Sequence, residues 1–343
     1  MPATCANEGL ILVGVRAIVV RRFGPPEVLV PSDVPDPVPG AHEALLDVEL
    51  ASVTFVETQV RAGAPPHPSM LPPLPAFLGN GVGGVVASVG PAVDTGVVGR
   101  RVITSLRGTG GYAERVAADA AGLIEIPERL STAEAVALVA DGRTAMLLVR
   151  GAGIRSGETV LVEAAAGGVG SLLVQLARAA GARVVGAARG ERKLAVVREV
   201  GASVVVDYSA PDWPVRLRAE LGGVDVVFDG VGGTIGRAAF ELLRPGGRFC
   251  PFGMSSGAFA QVSETDAHAR HVRLIRGPQP TPEELWELVR AALAEAVAGY
   301  LRPLIGQIFP LERAAEAHAL MERRGAMGKT LLRVSERGVT SIW

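Results

Sequence analysis

The stretch Ala165-x-Gly167-x-x-Gly170, within the residues AAAGGVGS, has nearly the spacing of a glycine turn that binds the pyrophosphate of a dinucleotide. It follows the apolar run TVLVE and precedes the helix-like stretch LLVQLARAAG. A turn between a strand and a helix directs backbone N–H groups of the first helical turn at a phosphate. Ala165, Gly167, Gly168, Val169 and Gly170 are therefore predicted to bind a dinucleotide. The alternative is a glycine-rich turn that serves packing only.

The residues after the second strand of this region predict which dinucleotide binds. An Asp or Glu about 20 residues beyond the glycines usually binds the free ribose hydroxyl of NAD. Here the strand ends in Arg189, and Lys193 follows one helical turn later. Together with Tyr208 after the third strand, these side chains can donate hydrogen bonds to a 2′-phosphate. NADPH is therefore predicted over NADH, unless Arg189 and Lys193 are only solvated charges at a helix start.

The elements around these residues predict an α/β fold. Between residues 159 and 277, apolar runs such as TVLVEA, ARVVGAA and VDVVFDGV alternate with helical patterns, which is typical of a doubly wound parallel sheet with helices on both faces. Residues 15 to 130 instead contain strand candidates linked by Pro- and Gly-rich turns such as VPDPVPG, and predict a mostly-β domain. A helix in TPEELWELVRAALAEAV and a final strand in KTLLRV follow.

Composition excludes several classes of function. The net charge of −1 offers no basic face for nucleic acid, and no stretch supplies the apolar length of a membrane span. Cys5 and Cys250 are the only cysteines, which favours a reducing compartment and predicts a cytoplasmic protein. The expected partner is therefore a small molecule, with no nucleic acid and no membrane involved.

The chain resembles the medium-chain dehydrogenase/reductase superfamily, most closely its zinc-free quinone oxidoreductase branch. The resemblance lies in AAAGGVGSLLVQLARAAGA, DVVFDGVGG, LLRPGGRFCPFGMSSG, GGYAERVA and GKTLL, and covers nearly everything from Val15 to Val334. It implies a GroES-like catalytic domain over residues 15–135 and 279–343, a Rossmann domain over residues 136–278, and a tail over residues 1–14. It also implies NADPH in the cleft between the domains, and a homodimer formed through the edge of the Rossmann sheet.

The chain differs from zinc-binding members of the superfamily at the positions of the metal ligands. Zinc-binding members of the superfamily have an early Cys and a His-Glu pair, whereas this chain has Thr54 or a neighbour at the first place and Asn80 and Gly81 at the second. Zinc prefers thiolate, imidazole and carboxylate ligands. We therefore predict no catalytic metal.

Three residues near residue 57 are assigned to the cleft by the resemblance. In VTFVETQ, Thr54 replaces an Asn that lies near the nicotinamide, Glu57 keeps an acidic position, and Gln59 replaces a Tyr that touches the cofactor in some relatives. Thr54 can bind the carboxamide or the substrate, and its alternative role is to cap a helix. We expect Glu57 to support the geometry of the cleft rather than act as an acid. Tyr112 in GGYAERV is a candidate proton donor or a packing residue, and solvent is the default donor.

Further cofactor contacts are also implied by the resemblance. Thr144 matches a threonine that hydrogen-bonds nicotinamide, and the loop formed by Phe252, Gly253, Met254 and Ser255 would pass the nicotinamide ring. The predicted cofactor contacts also include Val231 and Lys329, and for Lys329 a purely structural role remains open.

The predicted activity is NADPH-dependent hydride transfer to a quinone or another conjugated carbonyl compound, without metal. Conjugated acceptors need less polarisation than isolated carbonyls, because the developing charge is delocalised. The alternatives are an enone or enoyl reductase acting on a polyketide-like intermediate, and a non-enzymatic NADPH-binding protein.

Overall fold

The computed structural model describes residues 14–106, 108–276 and 280–335. Its strands are β1 Gly14–Val20, β2 Leu29–Pro35, β3 Glu43–Val53, β4 Ala76–Phe77, β5 Gly81–Val89, β6 Arg101–Ser105, β7 Arg115–Asp119, β8 Ile124–Glu125, β9 Thr159–Val162, β10 Arg183–Ala188, β11 Val204–Asp207, β12 Val224–Asp229, β13 Leu243–Pro251, β14 Arg273–Leu274, β15 Ile305–Pro310 and β16 Lys329–Arg333. Its α-helices are α1 Phe55–Ala62, α2 Thr132–Ala137, α3 Arg143–Ala152, α4 Gly168–Ala179, α5 Glu191–Glu199, α6 Trp213–Leu221, α7 Gly233–Glu241, α8 Glu264–Ala269, α9 Pro282–Val297 and α10 Ala314–Glu322. A π turn, Leu138–Gly142, lies between α2 and α3.

The predicted doubly wound sheet is confirmed as six parallel strands in the order β11-β10-β9-β12-β13-β14. Every residue of β9 is buried, as its continuous apolar run predicts for a strand covered on both faces. The chain winds outward in one direction from β9 and in the other from β12. The crevice above the carboxyl ends of these two strands is therefore the place where open α/β sheets bind ligands.

The mostly-β domain contains two sheets, and the larger one has seven strands, with β15, β16, β3, β5, β6 and β8 in order and β7 paired to β3. The end of the chain returns to this domain, because β16 pairs antiparallel with β3 between Thr330 and Val53. The smaller sheet has the order β2-β1-β4. This is a GroES-like domain, so both predicted domains are present.

Helix α9, which the sequence assigned to the catalytic domain, packs against both domains. It begins at a capping box, in which Thr281 accepts from the Glu284 N–H and Glu284 accepts from the Thr281 N–H. Its apolar face, including Val289, belongs to the core cluster that contains residues of α3, α4 and the parallel sheet together with Ile103 and Leu331 of the mostly-β domain. We propose that the Rossmann domain continues to the end of α9 rather than ending at residue 278. Of the predicted tail, residues 1–13 lie outside the described residues, and Gly14 is already part of β1.

None of the helices in the described part of the chain combines the length and the apolar character that crossing a bilayer requires.

Candidate active site at the domain cleft

The glycine turn lies where the sequence predicts it, between β9 and α4. Gly167 is the N-cap of α4, and no side chain caps the N–H groups of this helix. These groups are therefore open to an anion, which the helix dipole also favours. Gly170 packs against the turn so closely that a Cβ there would lie 2.2 Å from the carbonyl oxygen of Ala164. A larger residue would consequently push α4 away from β9.

A cluster of cations surrounds the ends of β10 and β11. The ammonium of Lys193 donates to the carbonyl oxygen of Arg324, at 2.6 Å. Burial lowers the pKa of Lys193, and the charges of Arg189 and Arg324 lower it further. Burial raises the pKa of Tyr208 to about 12, so its hydroxyl keeps the proton and can donate. The crowding of like charges favours binding of an anion between them.

Among the described residues, Asp207 is a carboxylate whose charge interacts with Arg189. Its oxygens are already hydrogen-bonded to main-chain N–H groups. Its oxygens accept from the N–H groups of Gly190 at 3.0 Å and Ser209 at 2.8 Å. Burial opposes ionisation of Asp207, but hydrogen bonds from Ser209 and Gly190 and the Arg189 charge together lower its pKa. The cluster therefore fits the predicted 2′-phosphate better than a ribose hydroxyl.

Arg324 was missed by sequence reasoning. It follows α10 in the catalytic domain, 131 residues from Lys193, and no local pattern connects the two. Its guanidinium donates to the carbonyl oxygen of Ser255 at 2.7 Å, so it also contacts the loop of residues 252–255. Arg324 thus brings a charge from the catalytic domain to the predicted 2′-phosphate site.

The segment of residues 324–329 joins the two domains at several points around the glycine turn. The Gly328 N–H donates to the carbonyl oxygen of Ala166 at 2.7 Å. The next residue, Lys329, places its ammonium 2.9 Å from Oδ1 of Asp141 in the π turn. The Lys329 side chain is buried, with 3% of its surface exposed, and Asp141 is partly buried, with 13% exposed. The structural role that the sequence left open for Lys329 is therefore present.

Asp141 is a second residue whose role the sequence did not indicate. Its other oxygen packs on Gly168, where an added Cβ would lie 1.9 Å from Oδ2. A side chain at position 168 would therefore collide with Asp141.

Thr54 and Glu57 form a capping box at the start of α1. The Thr54 N–H donates to Oε2 of Glu57 at 2.6 Å, and the Glu57 N–H donates to the Thr54 hydroxyl at 3.4 Å. The other Glu57 oxygen accepts from the Asn80 N–H at 2.8 Å. The capping role weighed for Thr54 is confirmed, and Glu57 connects the start of α1 to the segment before β5. This supports a positioning role for Glu57.

Tyr112 is completely enclosed beneath Glu57. Its hydroxyl lies 3.3 Å from Oε2 of Glu57 and 3.0 Å from Nε2 of His318. Burial lowers the pKa of His318 to about 3, so the ring is neutral and its Nε2–H can donate to Tyr112. The enclosed position favours a role for Tyr112 in holding Glu57 in place, rather than the proton donation that the sequence also suggested. His318, 206 residues from Tyr112, carried no sequence signal.

Replacing Glu57 with glutamine is expected to lower the melting temperature without removing an acidic limb from the rate profile. The amide places an NH₂ group against one of the two main-chain N–H donors, and losing a buried hydrogen bond costs about 1 to 3 kcal/mol. Burial raises the pKa of Glu57, while its hydrogen bonds and the Lys329 charge oppose the rise. The measurements are thermal denaturation and kcat/KM against pH. An acidic limb that disappears in the variant would mean that Glu57 titrates in catalysis.

The other residues predicted to contact the cofactor are buried or have partners within the protein. The Thr144 hydroxyl donates to the carbonyl oxygen of Ala140 in the π turn, at 2.8 Å, and its lone pairs leave it able to accept. Among the described residues, Oε1 of Gln59 is buried without a hydrogen-bond partner. Val231 is buried, and its N–H donates to Asp229. The N–H groups of Phe252 and Gly253 donate to the carbonyl oxygen of Asp229.

The places of the zinc ligands are filled by hydrogen bonds and close packing. The Asn80 carboxamide oxygen accepts from Ser105 at 2.8 Å and from the Gly108 N–H at 2.9 Å. A Cβ at Gly81 would lie 2.8 Å from the Ser52 hydroxyl oxygen. In the described ranges, no three His, Cys, Asp or Glu side chains are grouped as a metal site would need. That the protein binds no metal remains a prediction.

Known proteins share this architecture. Residues 40–128 match the family described as alcohol dehydrogenase GroES-like domain, and residues 168–293 match the family described as zinc-binding dehydrogenase. The quinone oxidoreductase of Sus scrofa is 34% identical over 321 residues, which cover 92% of this chain and 97% of that protein. The chain belongs to the medium-chain dehydrogenase/reductase superfamily, in its zinc-free quinone oxidoreductase branch, and is an oxidoreductase.

Two other relatives differ in what their names describe. A 2-haloacrylate reductase from Burkholderia sp is 32% identical over 329 residues, covering 93% of this chain and 98% of that protein. The structure of the Escherichia coli quinone oxidoreductase complexed with NADPH is similar with a TM-score of 0.84 and 29% identity, covering 93% of this chain and all of that chain.

Proposed function

We propose that this protein is an NADPH-dependent reductase that transfers a hydride to a quinone or another conjugated carbonyl compound without a metal. The observation that carries the proposal is the group of Arg189, Lys193, Arg324 and Tyr208 beside the uncapped start of α4. A molecule with a pyrophosphate and a 2′-phosphate would bind the free N–H groups of α4 with the first and neutralise the cation cluster with the second. The NADPH complex of the Escherichia coli relative supports the same cofactor.

The chain's own residues would bind and orient NADPH. The N–H groups at the start of α4 would bind the pyrophosphate, and the cation cluster the 2′-phosphate. Thr54, Gln59 and Thr144 are the polar side chains assigned to the nicotinamide end. When bound, NADPH supplies a hydride from its nicotinamide ring. The contacts of residues 324–329 with the Rossmann domain help to hold the two walls of the cleft together and exclude water.

The protein residues described at this site supply no strong acid for the substrate. Glu57 accepts hydrogen bonds on both oxygens, and Tyr112 is enclosed. The proton that completes a reduction would therefore come from solvent. This favours acceptors whose reduced anions are already delocalised, such as quinones and enones.

A second candidate is reduction of a conjugated C=C bond. It is favoured by the 32% identity to a 2-haloacrylate reductase. The acceptor would then be an enone or enoyl compound, and a polyketide-like intermediate is one substrate of this class.

The decisive experiment follows NADPH absorbance during reaction with a panel of quinones, enones and small conjugated acids, with NADH as the matched cofactor. We expect turnover with quinones and a clear preference for NADPH. Turnover restricted to the C=C substrates would select the second candidate. NADPH binding without turnover of any acceptor would contradict both.

We also propose a cytoplasmic homodimer. The two cysteines fit a reducing compartment. Strand β14 lies at the edge of the parallel sheet, and within the described residues it pairs only with β13. A second copy could continue the sheet there. Sedimentation equilibrium tests the oligomeric state, and a measured mass equal to that of one chain would contradict the homodimer.

A further inference from the structure

Two carboxyl side chains lie beside each other in the interior, below the proposed cofactor crevice. Glu163 follows β9 and Asp229 ends β12, and these neighbouring strands are in register from Val160 and Val226 onward. Both side chains are fully buried. Because the strand order reverses between β9 and β12, the pair lies at the switch point of the sheet.

The surroundings of Asp229 stabilise a negative charge. Its Oδ1 accepts from the N–H groups of Val231 at 3.0 Å and Gly232 at 2.6 Å. These groups immediately precede α7, whose N-terminus favours an anion. Its Oδ2 packs on Gly236 in the first turn of that helix, where a Cβ would lie 2.4 Å away. These donors favour placing the negative charge of the pair on Asp229 rather than on Glu163.

Glu163 has weaker support for a charge. Among the described residues, neither Glu163 oxygen nor Oδ2 of Asp229 accepts a well-formed hydrogen bond while both groups are ionised, and the nearby Val231 N–H only partly offsets the raised pKa of Glu163. The two carboxyl groups are, however, within hydrogen-bond reach of each other. Burial raises the pKa of Glu163 well above its ordinary value, and Asp229 raises it further. One proton on Glu163 would satisfy both side chains and avoid two adjacent buried charges.

We infer that Glu163 is a positioning residue of the cofactor crevice, whose un-ionised carboxyl group donates a hydrogen bond to Asp229 and thereby holds the segments around Asp229 in place. The side chain of Asp229 binds residues 231 and 232, and its carbonyl oxygen accepts from the N–H groups of residues 252 and 253. Both segments are predicted to contact the cofactor. The inference therefore rests on the proposed function.

Other titratable groups near the pair must be separated from Glu163 in any pH experiment. Tyr208, after β11, lies close enough to Glu163 to respond to its charge once Glu163 ionises, and its own neighbours include Arg189, Arg324 and Asp207. Lys193 belongs to the same cation cluster, and its pKa is lowered. All of these groups remain when only position 163 is changed, so the difference between the wild type and a variant isolates Glu163.

The test compares Glu163→Gln, Glu163→Ala and the wild type. The glutamine amide can donate to Asp229 but cannot lose a proton, whereas alanine removes the donor. The dissociation constant of NADPH is measured by nicotinamide fluorescence between about pH 6 and pH 10. We expect similar affinity of the wild type and Glu163→Gln at the acidic end, and wild-type binding that weakens relative to Glu163→Gln, by up to roughly tenfold, as the pH rises toward the raised pKa of Glu163. Glu163→Ala should bind roughly tenfold more weakly at every pH.

The melting temperature without cofactor provides a second measurement. Folding raises the pKa of Glu163 above 4.5, so the folded chain holds a proton that the unfolded chain has lost. The stabilising contribution is complete below that value and declines as the pH rises toward the pKa in the folded protein. The wild type should therefore lose stability relative to Glu163→Gln as the pH increases. Glu199→Gln, which removes an exposed carboxylate at the end of α5, should follow the wild type.

The outcomes distinguish this inference from the proposed function. Parallel pH profiles for the wild type and Glu163→Gln in both measurements would overturn the positioning role, while NADPH binding itself would stand. A wild type that binds no NADPH at any pH would overturn both proposals. If Glu163→Ala does not fold, the comparison with glutamine still decides the result.

Discussion

Replacing Asp141 with alanine is expected to lower the free energy of unfolding by about 3 to 5 kcal/mol, because it leaves the Lys329 charge buried without its partner. Lys329 forms the buried pair across the two domains and also lies close enough to influence Glu57. The loss should appear in urea denaturation followed by tryptophan fluorescence. A smaller loss is expected when Lys329→Met is combined with Asp141→Ala, because the double variant leaves no unpaired ammonium group.

The matched control is an exposed ion pair. Arg100 and Glu125 form one with 59% and 62% of their side chains exposed. Exposed pairs contribute little because water screens the charges. Glu125→Ala should therefore hardly change the denaturation curve. An equally small effect for Asp141→Ala would show that the pair between the domains contributes nothing measurable.

Replacing Arg189 with alanine is expected to weaken NADPH binding about tenfold to a hundredfold. Each charge-assisted hydrogen bond to the 2′-phosphate should contribute roughly 1.5 to 3 kcal/mol, and 1.4 kcal/mol corresponds to a factor of ten. The side chain is exposed, so the change should not disturb the fold. NADH lacks the phosphate, and its affinity should barely change.

The measurement is a fluorescence titration with both cofactors at one fixed salt concentration, because salt screens exposed charges. Arg198→Ala is the matched control, since Arg198 lies on the neighbouring helix and pairs with Glu191 at the surface. It should leave both affinities unchanged. Equal wild-type affinities for NADPH and NADH, or an equal loss of both in Arg189→Ala, would mean that the phosphate is not recognised at this cluster.

The sequence by itself determined the features that depend on residues close together along the chain. The glycine turn, the buried strands and the helix at Thr281 all follow from short-range patterns of side-chain size, polarity and capping. The box of Thr54 and Glu57 is also local, because its residues are three positions apart. The family resemblance added the overall order of the domains.

The tertiary structure alone decided which distant residues meet. Asp141 and Lys329 are 188 residues apart, and Lys193 and Arg324 come from different domains. Likewise Glu163 and Asp229 are neighbours only because β9 and β12 are adjacent in the sheet. The placement of α9 followed the same rule, since its apolar pattern does not specify which elements it packs against. Such contacts arise when helices and strands that have already formed pack against each other. A single sequence does not reveal them, because no local pattern specifies which surfaces meet.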